Sequence, residues 1–378
     1  MRIRPLDGIL AISLEQAVAA PMCGRRLADA GARVIKIERP EGDFARGYDQ
    51  LLAGESVYFV WLNRGKESVV ADLTQPEDRE FLLAMLAKAD VLVQNLKPGA
   101  LKKLGLDPDE LCRRFPRLIA CSISGYGEEG PYAQRKAYDL LIQAESGLAS
   151  VTGDASGPSR VGVSIVDVAS GLHAYEAILE ALIARGRTGN GAHIRVSMFD
   201  CMAEFMSVPL LQGLYGAPPK RIGLSHTSLA PYGVFTTRDG VPVLISIQND
   251  REWRALASKV LRRPELGSDP KFATSPARLA NRPETDGAVQ AWFSAHDAAE
   301  AIAKLDAADI AFGRVNDWKG LAEHPHLRMQ TVGTVKGPVR MPAAPARWPG
   351  APDPASQSDV PALGAHTAAV KREFLGAR

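Results

Sequence analysis

The chain opens with short apolar runs separated by longer stretches in which apolar residues recur every three or four positions. Ile9–Leu14 has the length and apolar content of a strand. Pro21 suits the first turn of a helix that runs through Ala30 and stops at Gly31. Arg33–Glu38 (RVIKIE) is the next strand. Thr74 stands as an N-cap, with Pro76 in the first turn and Glu77 completing a capping box. Phe81, Leu82, Met85 and Leu86 then follow at helical spacing. Asp90–Gln94 is a strand, a helix covers Pro108–Phe115, and Leu118–Ile123 is a further strand. This βαβα order predicts an α/β fold with a mostly parallel sheet covered by helices.

Asp139–Ser150 and Asp167–Arg185 both read as helices. The second carries Leu172, Tyr175, Ile178, Leu179 and Leu182 along one side and is ended by the tract GRTGNG at 186–191. Ala192–Met198 returns as a strand. From Pro218–Pro219 the texture changes, and Tyr232–Phe235 and Val243–Ile247 with Gly240 between them suggest a hairpin. A charged helical stretch follows to Asp306. The expected organisation is a large domain over 1–218, a small domain over 219–316, and a return segment over 317–378. Its Pro/Ala-rich tract MPAAPARWPGAPDPAS has the composition of an extended surface strap.

Charge narrows the function classes. Lys and Arg number 45 against 43 Asp and Glu, so nothing points to nucleic acid or an anionic membrane surface. No apolar run reaches the roughly 18–20 residues that span a bilayer, and the N-terminus lacks the pattern of a signal peptide. Cys23, Cys112, Cys121 and Cys201 form neither a CxxC pair nor a disulfide framework. A cytoplasmic protein with reduced thiols and no resident metal is the expectation. His324-Pro-His326 lacks a third ligand at metal-binding spacing.

Parallel sheets bind ligands beyond the carboxyl ends of their strands. The loops there read EQAVAAP, RPEGDFARG, NLKPGALKKLG and SGYGEEGPYAQRKAYD. They are glycine-rich and carry Arg39, Arg46, Lys97, Lys102, Lys103, Arg135 and Lys136, which suits a polyanionic ligand, although solvated surface cations would look the same. A nicotinamide dinucleotide is disfavoured, because AVAAPMCG replaces the glycine fingerprint and Pro21 offers no N–H. Glu38 ends the second strand where a ribose-binding acid would, but acids are common there. Ser124-Gly125-Tyr126-Gly127 is no nucleophile elbow, since no glycine sits two residues before the serine. Asp167 falls at a helix start, in GVSIVDVASG. An acid there is ordinarily a favourable first-turn residue; the same N–H groups would keep it ionised and could stabilise a nearby oxyanion.

The segments PLDGILAISLEQAVAAP, LADAGARVIKIERPEGDFAR, VYFVWLNRGKESVVADL, ADVLVQNLKPGALKKLGL, LIACSISGYGEEGPY and RTGNGAHIRVSMFD, with the later APYGVFTTRDG, together resemble the family III CoA-transferases. That group includes formyl-CoA transferase, carnitine CoA-transferase and α-methylacyl-CoA racemase, and the likeness covers nearly the whole chain. The resemblance implies an open, Rossmann-like α/β domain plus a small α+β domain, and two subunits interlinked as a homodimer. It implies no permanent cofactor; coenzyme A or acyl-CoA and a small carboxylic acid are substrates. Asp167 falls on the family's catalytic aspartate. CoA-contacting positions fall on Ala17, Arg39, Asn95, Leu96, Lys103, Lys136 and Tyr138, with Arg39 and Lys103 as phosphate partners. Lys103 replaces an arginine of formyl-CoA transferase, keeping the charge but not the bidentate fork.

The resemblance further implies transfer of CoA to a carboxylic acid through an aspartyl anhydride and an aspartyl-CoA thioester. VWLNRGKES is similar to members acting on C4–C5 dicarboxylates such as succinate, mesaconate, malate or citramalate, and Arg46 or Arg64 is placed to hold the second carboxylate. The glycine-rich active-site loop of formyl-CoA transferase has no counterpart around Leu224–Pro231, which speaks against oxalate and formate. The racemases use a His/Asp pair, but the His position is here Tyr138, and a tyrosine hydroxyl, titrating near ~10, is a poor proton shuttle at neutrality. A non-catalytic acyl-CoA-binding protein is the third reading.

Overall fold

Strands buried on both faces need apolar side chains throughout, and the N-terminal apolar runs supply them. The computed structural model describes residues 4–348 and 359–376; the second part of the Pro/Ala-rich tract lies outside the described residues. The chain forms two compact units. One comprises 4–149, 160–210, 328–348 and 359–376, and the other 150–159 and 211–327.

In the first unit, β1 (Leu10–Leu14), α1 (Ala19–Asp29), β2 (Arg33–Glu38), α2 (Val57–Asn63), β3 (Lys66–Val70), α3 (Pro76–Leu86) and β4 (Val91–Gln94) follow in order. Then come α4 (Ala100–Lys103), α5 (Pro108–Arg114), β5 (Ile119–Ser124), α6 (Asp139–Glu145) and α7 (Leu148–Val151). After β6 (Gly153–Asp154) and β7 (Gly157–Pro158), which belong to the second unit, the first continues as α8 (Ile165–Thr188), β8 (His193–Ser197) and α9 (Met198–Phe205); α10 (Ser207–Tyr215) begins in the first unit and ends in the second. Six strands form one sheet in the order β3-β2-β1-β4-β5-β8, and every pairing is parallel. Alternate residues divide the core. Ala11, Val34, Val91, Val93, Cys121 and Ile123 face α1 and α8; Ile12, Leu14, Ile35, Ile37, Leu92 and Ala120 share the other cluster with α3 residues Phe81, Leu82, Met85 and Leu86.

The second unit packs helices on an antiparallel sheet of β9 (Tyr232–Thr236), β10 (Pro242–Ser246) and β11 (Ala311–Arg314). Trp253 is fully buried among Phe235, Phe272 and Phe293, and its indole N–H donates to the Leu266 carbonyl at 3.0 Å. Back in the first unit, the C-terminal helix Thr367–Leu375 closes the free edge of β3. The Ser68 amide donates to His366 Nδ1 at 3.1 Å and the Val70 amide to Thr367 Oγ1 at 2.9 Å, so an edge that could template pairing is satisfied.

Four local expectations need correction. Thr74 does not cap α3: its hydroxyl donates to Asp72 at 2.7 Å, and Gln75 takes the cap position without a side-chain bond. The helix expected over 139–150 breaks after Glu145, where Gly147 turns left-handed at φ +82°. The long helix starts two residues before Asp167 and runs through Gly186 to Thr188; Gly189, at φ +80°, is the residue that ends it. Leu172 is 36% exposed and stands outside the buried stripe.

The tightest helix contact is between α1 and α8. A Cβ on Gly171 would overlap the Ala19 carbonyl oxygen, which is backbone and cannot swing aside. Gly171→Ala should therefore destabilise the fold by about 1–3 kcal/mol, the usual range for overpacking. Gly186 lies on the same helix with open space around it, so Gly186→Ala should be neutral or stabilising by about 0.5–1 kcal/mol. Urea denaturation of both variants checks the pair.

Candidate active site

The loops that leave the carboxyl ends of β1, β2, β4 and β5 carry most of the residues singled out in the sequence. After β1, Ala17 adopts φ +61°, unusual for a residue with a Cβ. After β2 comes Arg39, exposed at the rim of an open groove of about 160 Å³. Leu14, Ile37, Ala71, Leu73, Leu96 and Leu104 give this groove an apolar lining, and Glu15, Gln16 and Asp43 form part of its wall. After β4, Asn95 is spent on the neighbouring turn: it accepts from the Gln16 amide at 2.9 Å and donates to the Gln16 carbonyl at 2.9 Å. Lys103 is exposed on α4, next to groove residue Leu104, and Lys136 and Tyr138 are exposed just before α6. Arg39 and Leu96 thus line one groove, whereas Lys103, Lys136 and Tyr138 are not part of its lining.

Asp167 sits in the first turn of α8, half-buried. The expectation that helix N–H groups hold it ionised is overturned. Those donors are taken by Asp139 of α6, whose Oδ1 accepts from the Val166 amide at 2.8 Å and lies 3.4 Å from the Asp167 amide. Its other oxygen accepts from Gln143 at 2.7 Å. Asp139 is therefore the buried acid at the helix start. Among the described residues no donor reaches the Asp167 carboxylate. Burial, reinforced by the nearby Asp139 charge, pushes Asp167 up to about 7. The sequence offered a signal for this, since two acids on adjacent helices compete for one helix terminus, but only the fold decides which acid wins.

The sequence reading missed a wall of aromatic rings whose member Tyr48 lies near enough to feel the Asp167 charge. Tyr48 meets Phe44 and Tyr58 at ring distances of 5.7 and 5.6 Å, and Tyr58 meets Trp61 at 6.4 Å. Burial, with the charges of Asp43 and Asp167 near its ring, pushes the Tyr48 hydroxyl up to about 12. Phe44, Tyr48 and Tyr58 all remain at least 36% exposed, so the wall is open to a ligand. The available signal was spacing: Phe44 with Tyr48, and Tyr58 with Trp61, lie one helical turn apart.

Arg46 and Arg64 do not offer free charge. Arg46 grips Glu38 with two bonds of 2.8 and 2.7 Å and stacks on Phe59 at 3.7 Å. Arg64, fully buried, holds both oxygens of Asp29 at 2.7 Å. A buried guanidinium requires such a partner, so neither is available to a second substrate carboxylate. Glu38 is equally committed: burial alone would raise it, but Arg46 and Lys36 hold it down at about 2, which leaves no acid free for a ribose.

Elsewhere in this unit Ser122, His193 and Asp109 form a hydrogen-bonded line, with contacts of 2.8 and 2.9 Å. Ser122 is 1% exposed, so no carbonyl can reach it and the line is no nucleophile assembly. His324 and His326 are exposed, and among the described residues no group of three His, Cys, Asp or Glu is placed to hold a metal. No helix among them is long and apolar enough to cross a membrane.

The displaced titration of Asp167 has two consequences. Any reaction needing its carboxylate should rise with pH and reach half its limit near pH 7. Asp139→Asn keeps an acceptor for the Val166 amide and removes the like charge. It should move that limb to lower pH without restoring an ordinary value, because burial is the larger cause; an unmoved limb would assign it to another group. Stability carries the matching sign. The folded carboxyl holds its proton more tightly than an unfolded one, which titrates near ~4. Its contribution is full below that pH and lost as pH rises through 7. Asp167→Asn should thus raise Tm at pH 8 but not at pH 4, as thermal scans would show.

Known proteins share this sequence and fold. The CoA-transferase family III profile matches residues 6–367. The acetyl-CoA:oxalate CoA-transferase of Acetobacter aceti is 39% identical over 98% of this chain and 96% of its own. The succinate–glutarate CoA-transferase of Agrobacterium fabrum is 33% identical over 98% and 96%. A crystal structure of a CAIB/BAIF family protein from Brucella suis superposes with a TM-score of 0.83 at 35% identity, covering 99% of this chain and 100% of that one. A family match over almost the full length, joined to a six-stranded parallel sheet with its loops gathered at one edge, leads to one conclusion: the chain belongs to family III of the CoA-transferases.

Proposed function

We propose that this protein transfers coenzyme A from an acyl-CoA to a short dicarboxylic acid, with Asp167 as the acylated carboxylate. The observation that carries the proposal is Asp167 itself: a half-buried carboxylate with no donor among the described residues, on the helix that packs against the groove-wall turn. Val168 shares a small apolar cluster with Ala17, and Gln16 of the same turn lines the groove.

The reaction divides one exchange into four. Asp167 attacks the thioester carbonyl, forming a mixed anhydride and releasing CoA thiolate. The thiolate attacks the aspartyl carbonyl of that anhydride, freeing the donor acid and leaving an aspartyl-CoA thioester. The acceptor carboxylate attacks this thioester, again giving an anhydride and thiolate. The thiolate then attacks the acceptor carbonyl, so that acyl-CoA leaves and the Asp167 carboxylate is restored. Each step trades groups of similar activation, so covalent catalysis needs no external energy source. Anhydride and thioester both hydrolyse, so the site must exclude water; the aromatic wall beside Asp167 suits that task.

Groove and cations fit CoA in kind. The apolar lining accepts a flat ring, and Arg39 stands at its rim for a phosphate. Lys103 and Lys136 are exposed and free to approach the remaining anions. Relatives named for oxalate and for succinate and glutarate support a dicarboxylate acceptor. The missing glycine-rich loop therefore does not remove oxalate from the candidates. With Arg46 and Arg64 engaged, the second carboxylate must find other donors. The racemase reading is weaker, since Tyr138 is 58% exposed and offers no base.

We also infer an interlinked homodimer. Phe205, Val208, Leu211, Leu214 and Tyr215, on and just before α10, are 51–85% exposed. Apolar surface of that density marks an interface.

Three measurements test the proposal. Asp167→Ala should abolish transfer while CoA binding persists, and hydroxylamine added during turnover should trap a hydroxamate on the Asp167 peptide; full activity without an adduct would refute the mechanism. Acyl-CoA donors paired with oxalate, succinate and glutarate, read by mass spectrometry, should show a dicarboxylate product. Sedimentation at low concentration should give a dimer; a stable, active monomer would contradict it.

A further inference from the structure

Three consecutive residues, Glu15 and Gln16 at the groove wall and Ala17 beyond them, are each held by a side chain from another element. Lys36 Nζ donates to the Glu15 carbonyl at 3.4 Å. Asn95 brackets Gln16 through both its amide and its carbonyl. Asp43 Oδ1 accepts from the Ala17 amide at 3.2 Å and from the Ala45 amide at 2.9 Å. The other Asp43 oxygen accepts from Lys36 at 2.7 Å. The turn so held is strained, with Ala17 left-handed at φ +61°, a conformation disfavoured for a residue with a Cβ. Strain of this kind persists only where surroundings over-determine it, and it gathers at functional sites.

The buried members explain how the bracing is maintained. Lys36 is fully buried, and Asp43 and Glu15 are 4% and 2% exposed. Burial alone would push Lys36 down, but Glu15, Asp43 and Glu38 together hold it above its ordinary value. A second buried lysine, Lys66, bonds Glu15 Oε1, the Pro21 carbonyl and Asn63. The turn can therefore move only if buried charges lose their partners. It borders the groove, which Gln16 lines, and Ala17 packs against the Val18, Met22 and Leu62 cluster, against which Val168, next to Asp167, also packs.

We propose that Lys36 and Asp43 are positioning residues for CoA transfer: acting through the strained Gln16–Ala17 turn, they fix a thioester lying in the groove against the Asp167 carboxylate. Lys36 is fully buried and outside the groove lining, and Asp43, 4% exposed at the groove wall, spends both carboxylate oxygens on Lys36 and the turn amides rather than on substrate. The proposal rests on the reading of Asp167 as the acylated residue, and it adds that the registry between groove and nucleophile is set from beneath the sheet edge. It is also specific about charge. Both oxygens of Asp43 are in use, one by a lysine and one by two amides. An asparagine at 43 has a single oxygen and must fail one side.

Asp43→Asn, an isosteric change, is the deciding variant. Transfer kcat should fall roughly a hundredfold, as a displacement of about 1 Å produces. CoA affinity by calorimetry and acyl-CoA KM should change little. Lys36→Met should show the same split; if it does not fold, Asp43→Asn still decides. A folded Asp43→Asn protein with parental kcat overturns the proposal. So does a parallel loss of affinity, kcat and Tm, which would make the network structural only. A parent enzyme that neither binds CoA nor transfers it refutes the proposed function instead, and the two failures are distinct.

Discussion

Six ionisable side chains lie in and beneath the carboxyl edge of the sheet, and their need for mutual compensation governs the rest of the site. Glu15, Glu38 and Asp43 carry the negative charge; Lys36, Lys66 and Arg46 carry the positive. Removing a lone ion from water costs several kcal/mol even after relaxation, and a neighbour of opposite charge with good hydrogen bonds is what makes burial tolerable. The set is balanced, three against three. Lys66 shows the strain of the arrangement. Burial, with Lys36 as a like charge close by, lowers it to about 8 although Glu15 is its partner. The backbone conforms to these charges. Gly24 has no side chain because a Cβ there would meet Glu15 Oε2 at 2.5 Å and Lys66 Nζ at 3.0 Å. Ala17 accepts a left-handed conformation because Asp43 holds its amide.

Much of the fold was legible because the strands are buried on both faces. RVIKIE marks β2 to the residue, and the loops expected to carry chemistry do leave the carboxyl ends of parallel strands. The charged members of such a run look like exceptions to the pattern. Lys36 within RVIKIE and Lys66 at the start of β3 invite the reading of a solvated edge; only the assembled sheet shows both to be buried and bonded. The helix errors share one cause. Thr74, Gly147 and Gly186 all carry signals whose meaning depends on a partner: Asp72 competes for the Thr74 hydroxyl, the left-handed turn at Gly147 ends a helix, and Gly186 meets nothing that would stop one.

The site was legible in position more than in electrostatics. Asp167 at a helix start suggested an acid kept ionised by the helix N–H groups, which is the ordinary outcome. Periodicity could not show that Asp139, 28 residues earlier, would take the helix donors. Nor could it show that Arg46 and Arg64 would turn inward. In both cases a group that looks available along the chain, the helix N–H donors in one and a guanidinium in the other, is committed in space to a partner that local spacing does not reveal.

This electrostatic setting bears on which chemistry Asp167 can perform. A carboxylate at an ordinary pKa is a weak nucleophile towards a thioester and a good leaving group from an anhydride, so its adduct would revert before CoA could return. Burial and the Asp139 charge disfavour the anion and raise Asp167 to about 7. Destabilising an anion raises both its basicity and its drive to form a neutral acyl adduct, while it worsens the same group as a leaving group. Free donor and acceptor acids titrate near the ordinary carboxylate range. In the proposed anhydride, Asp167 is therefore the more basic of the two carboxylates, and the substrate acid is the better leaving group. On the proposed pathway this bias would steer thiolate attack to the aspartyl carbonyl and so favour the aspartyl-CoA thioester. The same bias would resist the final step, which expels Asp167 as the leaving group. A fixed registry is then required, since only a thiolate held against the acceptor carbonyl can reverse the electronic preference, and a rigid turn between groove and helix is suited to provide it.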